Sequence, residues 1–161
     1  MEPAVNIALR AARKAGDIIA RATERMDLIK IEEKEKNDFV TNVDKAAEQE
    51  IIEQIQKAWP EHNIMGEESG LISGSKGQSD TTWYIDPLDG TTNFVRGIPH
   101  FSVSIACAKN DIVEHAVIYD PIRCEEFTAS RGRGASLNGV RLRVSDRHNF
   151  NGALIGTGVP Y

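Results

Sequence analysis

The sequence predicts an α+β fold in which two long helices pack on an antiparallel sheet. Two N-terminal segments carry apolar residues at steps of three and four, which is the spacing of an amphipathic helix. From His100 onward, apolar and polar residues alternate, which is the period of a β-strand. Helices followed by a run of consecutive strands are typical of the α+β class.

The two helices are predicted from one apolar stripe each. The first stripe comprises Val5, Ala8, Ala12, Ala15, Ile19, Ala22 and Met26. The second comprises Ala47, Ile51, Ile55 and Trp59. Residues 41–44 resemble a helix entry with a capping side chain, and Pro60 stops the second helix. Residues 27–33, between the helices, alternate in part and are predicted to form a strand.

The second half of the chain is predicted to be a meander of strands. Residues 101–107 alternate, and Asn110-Asp111 marks a hairpin turn before a strand at 112–119. Asn138-Gly139 is a strong hairpin signal between strands at 124–130 and 140–145.

Two other segments complete the pattern. Residues 66–80 are rich in glycine and serine, so we expect a mobile loop. Residues 153–156 begin another strand-like run without a closing element, which indicates the N-terminal part of something longer.

Composition restricts the classes of function. The chain has 161 residues, enough for one core, and a net charge of -5, which argues against binding nucleic acid or anionic membranes through a basic face. The two cysteines, Cys107 and Cys124, have no metal-ligand spacing and are predicted to be reduced core residues. No apolar run reaches 18 residues, and basic residues interrupt the N-terminal segment, so we expect a cytoplasmic protein that does not span a membrane.

Residues 86–92, with the sequence Asp-Pro-Leu-Asp-Gly-Thr-Thr, are the most informative feature of the chain. The apolar residues 83–85 predict a short buried strand that ends at Asp86. Pro87 cannot continue a strand ladder, which frees the carbonyl of Leu88, and residues 91–94 resemble the start of a helical turn. Carboxylate and carbonyl oxygens suit Mg²⁺, and helix N-termini attract phosphate. The run therefore fits metal-assisted hydrolysis of a phosphate ester.

An isolated match of this kind is more often a type I turn, by roughly two to one. Three features favour the metal site: a strand precedes the run, a helix start follows it, and the acidic pair Glu67-Glu68 lies about twenty residues before it. By itself, Asp44 would be a helix N-terminal charge and Thr91 an N-cap.

Four segments together resemble the signatures of the inositol monophosphatase family. Residues 83–94 resemble its first signature, and residues 66–69 resemble its metal-binding loop. Residues 38–44 resemble its early acidic motif, and residues 132–139 match its later glycine hairpin. The resemblance runs from the first helix to the last residue and is closest to the bacterial SuhB branch.

The resemblance implies a site for Mg²⁺. Glu67, Asp86 and the carbonyl of Leu88 would hold the first ion, and Asp86 and Asp89 would share the second. Glu67 would also help with a third, weaker ion. The family's basic position would correspond to Lys34, or to Lys36.

The resemblance also implies the catalytic and substrate-binding residues. Thr91, linked to Asp44, would orient and deprotonate the attacking water, and Glu67 would be the third catalytic residue. Asp89, Gly90 and Thr91 would bind the substrate, with the N–H groups of Gly90 and Thr91 directed to its phosphate.

The implied activity is Mg²⁺-dependent hydrolysis of a small polyol phosphate monoester, with inositol 1-phosphate as the first candidate and lithium as an inhibitor. One alternative substrate class is a nucleotide 3′-phosphate or a sugar bisphosphate. The SuhB branch is also associated with antitermination of ribosomal RNA transcription. A second alternative is therefore a partner of antitermination factors or RNA polymerase, with catalysis secondary. A homodimer is expected.

The family completes its second metal site with an aspartate from a Trp-Asp motif in its C-terminal half, and no such motif follows Asp89 here. We therefore expect residues 1–145 to form the metal-binding α+β phosphatase domain and residues 146–161 to begin a C-terminal domain. The fold would be the N-terminal half of a layered αβαβα sandwich. The 161 residues alone are expected to have little activity.

Overall fold

The computed structural model of the protein describes residues 2–35, 38–77 and 79–157. Three α-helices are present in these ranges: α1 (Pro3–Thr23), α2 (Asn42–Ala58) and α3 (Thr91–Val95). The strands are β1 (Ile31–Glu35), β2 (Asp38–Thr41), β3 (Asn63–Gly66), β4 (Gly70–Ile72), β5 (Thr81–Asp89), β6 (Ser102–Lys109), β7 (Ile112–Asp120), β8 (Glu125–Ser130), β9 (Gly134–Leu137) and β10 (Val140–Arg141). The predicted α+β class is confirmed.

Eight of these strands form one sheet in the order β10-β9-β8-β7-β6-β5-β3-β4, while β1 and β2 pair with each other. Within the described residues, every neighbouring pair in the large sheet is antiparallel except β3 and β5, which are parallel. The parallel pair differs from the antiparallel sheet predicted from sequence. It follows from the edge strand β4, which pairs antiparallel with β3 on one side, so that the chain crosses back and β5 runs in the same direction as β3 on the other side.

The core lies between the sheet and the helices α1 and α2, which pack against each other and against the central strands. Trp83 and Ile85 of β5 and Val103 and Ile105 of β6 alternate into this core, as the period of two predicts. Each such side chain contributes about 1.5–3 kcal/mol when fully buried. A bidentate ion pair from Arg13 to Glu126 also joins α1 to β8.

Local turn and cap signals are confirmed in detail. Thr41 is the N-cap of α2, where its hydroxyl accepts from the N–H groups of Val43 and Asp44, and Asp44 accepts in return from the Thr41 N–H. Asn110 and Asp111 both have positive φ between β6 and β7, as a two-residue hairpin turn requires. Asn138 and Gly139 have the same conformation, but they join β10 to β9, a strand that was not predicted, and not to the strand expected at 124–130.

Four predictions about individual segments need correction. Residues 26–28 form a 3₁₀ helix, and the strand expected at 27–33 begins only at Ile31. The predicted loop 66–80 contains β4, which forms a hairpin with β3. The strand expected at 140–145 stops at Arg141, and residues 153–156 form no strand. A strand needs a neighbour to pair with, and sequence preference alone does not supply one.

Cys107 is buried as expected, but Cys124 is exposed at a turn before β8, so it is not a core residue. Both thiols are free.

Among the helices of the described ranges, none is long and apolar enough to cross a membrane. Residues 158–161 and Lys36 lie outside the described residues, as does the side chain of Lys34. The proposed division of the chain into residues 1–145 and 146–161 stays a prediction.

Candidate active site

Strand β5 was expected to end at Asp86, but it continues through Pro87 to Asp89, and only its pairing with β6 becomes irregular there. Asp86 pairs with Ser104 of β6 and Asp89 pairs with Ser102, so two residues of β5 lie opposite one residue of its neighbour. This bulge follows from the missing N–H of proline. The carbonyl of Leu88 accepts a hydrogen bond from the Thr91 hydroxyl at 2.9 Å.

The parallel pairing of β3 with β5 brings Glu67 beside Asp86. Gly66 pairs with Ile85, and the N–H of Glu67 donates to the carbonyl of Ile85 at 3.1 Å. The next residue of each strand is therefore an acidic one, at the same edge of the sheet. The carboxyl groups of Glu67 and Asp86 are close enough to share a hydrogen bond.

The pKa of Asp86 is raised because this carboxyl group is partly buried and lies close to other carboxylates. Partial burial, followed by the charge and hydrogen bond of Glu67 and the charge of Asp89, raises the pKa of Asp86 to about 7. The Leu88 N–H donates to Oδ1 of Asp86 at 3.2 Å and opposes this rise. A carboxyl group whose pKa is raised by burial and by neighbouring carboxylates marks a place where a cation would be favourable.

Gly90 turns the chain from β5 into α3 and has a left-handed conformation, with φ 95°. A Cβ at this position would lie 3.0 Å from the carbonyl oxygen of His100. Glycine is therefore required both by the backbone and by the close approach of the segment before β6. The turn places Thr91 at the first position of α3.

The hydroxyl of Thr91 lies 3.0 Å from Oδ1 of Asp44, which is only 2% exposed at the start of α2. Oδ2 of the same carboxylate accepts from both the N–H and the hydroxyl of Thr41. Asp44 is thus held by the helix cap while its other oxygen meets Thr91. The link that was expected between Thr91 and Asp44 is present.

A cavity of about 350 Å³ opens at this end of the sheet. Its lining comprises Phe39, Glu67, Asp86, Leu88, Asp89, Gly90, Thr91, Thr92 and Asn93. Six of the seven site residues named from the sequence line it, and the seventh, Asp44, lies behind Thr91. Phe39, Thr92 and Asn93 were not named as site residues, although Thr92 and Asn93 directly continue the signature run.

The oxygen donors that line the cavity match a hard metal ion in chemical type. Among the described residues, no three acidic, histidine or cysteine side chains already surround a common point that could hold an ion. The cavity nevertheless offers three carboxylates and the Leu88 carbonyl, which are the hard oxygen donors that Mg²⁺ prefers. Mg²⁺ also retains several waters, so it requires few protein ligands. The residues present therefore fit Mg²⁺ in kind.

Glu48 was missed by sequence reasoning. It lies on α2 four residues after Asp44, it is 3% exposed, and its Oε2 accepts from the N–H of Glu68 at 2.9 Å. The spacing of four is the signal that could have identified it, because residues four apart share one face of a helix.

Comparisons with known proteins agree with this geometry. The model of the inositol monophosphatase family matches residues 1–161. The chain is 61% identical over all 161 residues to Nus factor SuhB of Pseudomonas aeruginosa, and it covers 59% of that protein.

Solved structures give the same result. The structure of the extragenic suppressor protein SuhB from Bartonella henselae is 40% identical, with a TM-score of 0.86, covering 91% of this chain and 56% of that one. The Thermotoga maritima IMPase is 36% identical with a TM-score of 0.81, covering 90% and 55%. The chain thus spans a little over half the length of these relatives, and the matched portion has their fold. The chain belongs to the inositol monophosphatase family, and its SuhB-type relatives confirm the branch that its motifs indicated.

Proposed function

We propose that the protein is a Mg²⁺-dependent phosphatase that hydrolyses a small polyol phosphate monoester, with inositol 1-phosphate as the first candidate. One observation carries the proposal: the hydrogen-bonded pair of Thr91 and Asp44 adjoins a cavity lined by Glu67, Asp86 and Asp89. A hydroxyl backed by a buried carboxylate can accept a proton from water, and the three carboxylates can bind cations. Both requirements of phosphate ester hydrolysis meet in one cavity.

The metal ligands are assigned from the donors in the cavity and from the family resemblance. Glu67, Asp86 and the Leu88 carbonyl would hold one Mg²⁺, and Asp86 and Asp89 would share a second. Bound Mg²⁺ would neutralise the charge of the phosphate and lower the pKa of water.

The residues of the chain would then perform the proton transfer. As the water oxygen attacks phosphorus, its proton passes to Oγ1 of Thr91, and the hydroxyl proton of Thr91 passes to Oδ1 of Asp44. The phosphorus–oxygen bond to the leaving alcohol breaks, and that oxygen takes a proton from solvent. Asp44 is suited to this role because Thr41 holds its second oxygen in place.

Asp89, Gly90 and Thr91 would bind the substrate at the mouth of the same cavity. Gly90 allows the backbone to approach a phosphate closely, since it has no side chain there. A cavity of about 350 Å³ suits a small substrate, because ligand pockets of about 300–1,000 Å³ accept drug-sized molecules. One solved relative is an IMPase and another is named both an inositol monophosphatase and a fructose 1,6-bisphosphatase, so these relatives support inositol monophosphate and keep a sugar bisphosphate as an alternative substrate.

The test is phosphate release by the full-length protein from inositol 1-phosphate, a nucleotide 3′-phosphate and a sugar bisphosphate. We expect turnover that requires Mg²⁺, stops in excess chelator, and is inhibited by Ca²⁺ and by lithium. Ca²⁺ relaxes the near-octahedral geometry that aligns water and phosphate. Undiminished turnover in excess chelator would refute the metal mechanism, and preference for another phosphate would change the substrate alone.

The relatives also favour a second candidate function, since the Pseudomonas aeruginosa protein is named a Nus factor. This chain would then act in the cytoplasm as a partner of antitermination factors or RNA polymerase, as a homodimer. The two functions separate in an Asp86→Asn variant, which removes a proposed metal ligand. Binding of transcription factors by this variant in a pull-down tests the partner role independently of catalysis. Its mass, measured by light scattering, tests whether it is a homodimer.

A further inference from the structure

Glu48 is a buried carboxylate that the proposed proton transfer does not use. It lies one helical turn after Asp44 on α2, and both residues are almost fully buried, at 3% and 2% exposed. Residues four apart lie on the same face of a helix, so both carboxylates point toward the same end of the sheet. Asp44 meets the turn after β5 through Thr91, and Glu48 meets the turn after β3.

The contact with the second turn is made to its backbone. Oε2 of Glu48 accepts the N–H of Glu68 at 2.9 Å. A Cβ on Gly66 would lie only 2.6 Å from the same oxygen, so glycine is needed there for the carboxylate to reach the chain. Glu48 therefore contacts the segment immediately before and after Glu67.

The other side of the segment is held by β5. The N–H of Glu67 donates to the carbonyl of Ile85 at 3.1 Å, which extends the parallel pairing by one residue. Two consecutive N–H groups thus have fixed acceptors, one on β5 and one on α2. Together they restrict the position of the Glu67 backbone relative to Asp86.

A buried carboxylate is unfavourable unless it is hydrogen-bonded. Glu48 is satisfied by a charge-assisted bond to the Glu68 N–H, and such bonds are about twice as strong as neutral ones. The helix could have carried an apolar residue at this position, as it does at Ile51 and Ile55. A carboxylate at this point gives the turn a specific acceptor that an apolar residue could not provide.

We propose that Glu48 is a positioning residue for the metal site: it fixes the turn that carries Glu67, while Asp44, on the same helix face, fixes Thr91. One rigid helix then sets the distance between the carboxylate that binds the cation and the hydroxyl that accepts the proton. This inference rests on the proposed function, because it concerns the binding of a cation by Glu67. Glu48 is not among the residues that line the cavity, so its proposed effect on the cation passes through Glu67.

The experiment compares three variants of the full-length protein. Glu48→Ala removes the acceptor, and Glu48→Gln keeps an oxygen of the same reach. Ile52→Ala removes a buried side chain of similar size from the same helix and controls for loss of packing, because the isoleucine side chain has no hydrogen-bond acceptor for the turn. The readouts are hydrogen exchange of the segment around Glu68, Mn²⁺ binding measured by the paramagnetic resonance signal of the free ion, and phosphatase activity against Mg²⁺ concentration.

We expect Glu48→Ala to accelerate exchange of the Glu68 amide and to weaken Mn²⁺ binding by about ten- to a hundredfold, as loss of a supporting contact behind a metal ligand does. Saturating Mg²⁺ should restore part of the kcat that Glu48→Ala has lost. Glu48→Gln should recover most of both properties, and Ile52→Ala should leave Mn²⁺ affinity unchanged even where it lowers stability.

The outcomes distinguish this inference from the proposed function. If the wild-type protein binds no Mn²⁺, the proposed function fails and the inference fails with it. If the wild-type protein binds Mn²⁺ and Glu48→Ala binds it equally tightly, the inference alone is wrong. Equal weakening by Glu48→Ala and Ile52→Ala likewise overturns it, because a general loss of packing would then explain the effect.

Discussion

The hydroxyl of Thr91 lies 3.0 Å from Oδ1 of Asp44, although 47 positions separate the two residues in the chain. The second oxygen of this carboxylate closes the cap of α2, accepting from the Thr41 N–H at 2.9 Å. One side chain therefore joins the start of a helix to the turn that ends β5.

Replacing Thr91 by valine should abolish most activity while the protein stays folded. Valine keeps the branched shape but cannot relay a proton, and general base catalysis typically contributes about 10²- to 10⁴-fold. The unfolding free energy should fall by about 1–3 kcal/mol, since Oδ1 of the buried Asp44 carboxylate loses its Thr91 partner. Thr91→Ser, which keeps the hydroxyl, should retain much of the rate. Steady-state kinetics and thermal unfolding of both variants provide the measurement.

Asp89→Asn should separate cation binding from folding. Asp89 is exposed at the end of β5, so replacing it by the neutral amide leaves the core unchanged. The substitution removes one negative charge from the ligands of the proposed second ion. We expect kcat to fall by orders of magnitude, and the Mg²⁺ concentration for half-maximal rate to rise. Asp111→Asn makes the same chemical change in the distant hairpin turn and should have no effect. Wild-type activity of Asp89→Asn at limiting Mg²⁺ would contradict the ligand assignment.

Gly90→Ala should destabilise the protein through both backbone strain and a close contact. The φ of 95° is unfavourable for alanine, at a cost of about 1–3 kcal/mol, and the new Cβ would meet the His100 carbonyl at 3.0 Å. Gly97→Ala is the matched control, because Gly97 also has positive φ but no heavy atom within 4 Å of its Cβ position. The difference in urea midpoint between the two variants measures the close approach together with the additional strain of φ 95° compared with φ 70° at Gly97.

The carboxylate cluster predicts a pH dependence that Mg²⁺ reverses. The pKa of Asp86 rises from 3.8 in a free side chain to about 7 in the fold, so the folded state holds a proton that the unfolded state has lost. Without metal, stability should therefore fall as pH rises from about 4 through 7. Above that range, added Mg²⁺ should restore stability by binding the charged form. Urea unfolding at pH 5 and 8, with and without Mg²⁺, tests this, and Asp86→Asn should flatten the dependence.

The environment of His62 leads us to expect the opposite pH dependence of stability from that of Asp86. Nδ1 of His62 accepts the indole N–H of Trp83 at 3.0 Å, and its ring stacks on Trp59 with centroids 5.5 Å apart. Burial lowers the pKa of His62, with smaller opposing effects from Glu61 and Asp80. The stability that the buried, neutral ring of His62 contributes is fully present above the ordinary pKa of about 6.5. It should be lost as pH falls below that value. Tryptophan fluorescence during thermal unfolding at pH 7.5 and 5.5, compared with His62→Gln, provides the test.

Much of the molecule was predictable because its signals are local. Thr41 and Asp44 form their capping box within four residues, and Asn110-Asp111 sets the turn of its hairpin through its own backbone conformation. Pro87 makes the pairing of β5 irregular, since it has no N–H to donate, although the strand continues to Asp89 beyond the end expected at Asp86. The motif that carries Asp86, Asp89 and Thr91 could therefore be placed at a strand-to-helix turn from its residues alone.

Other features depend on contacts between distant parts of the chain. The parallel pairing of β3 with β5 places Glu67 beside Asp86, and nothing in either segment specifies that neighbour. Glu48 meets Glu68 only because α2 packs against this same edge, and residues 153–156 have strand-like composition but form no strand. Short-range periodicity and turn chemistry are properties of neighbouring residues, whereas pairing and burial depend on which surfaces the folded chain brings together.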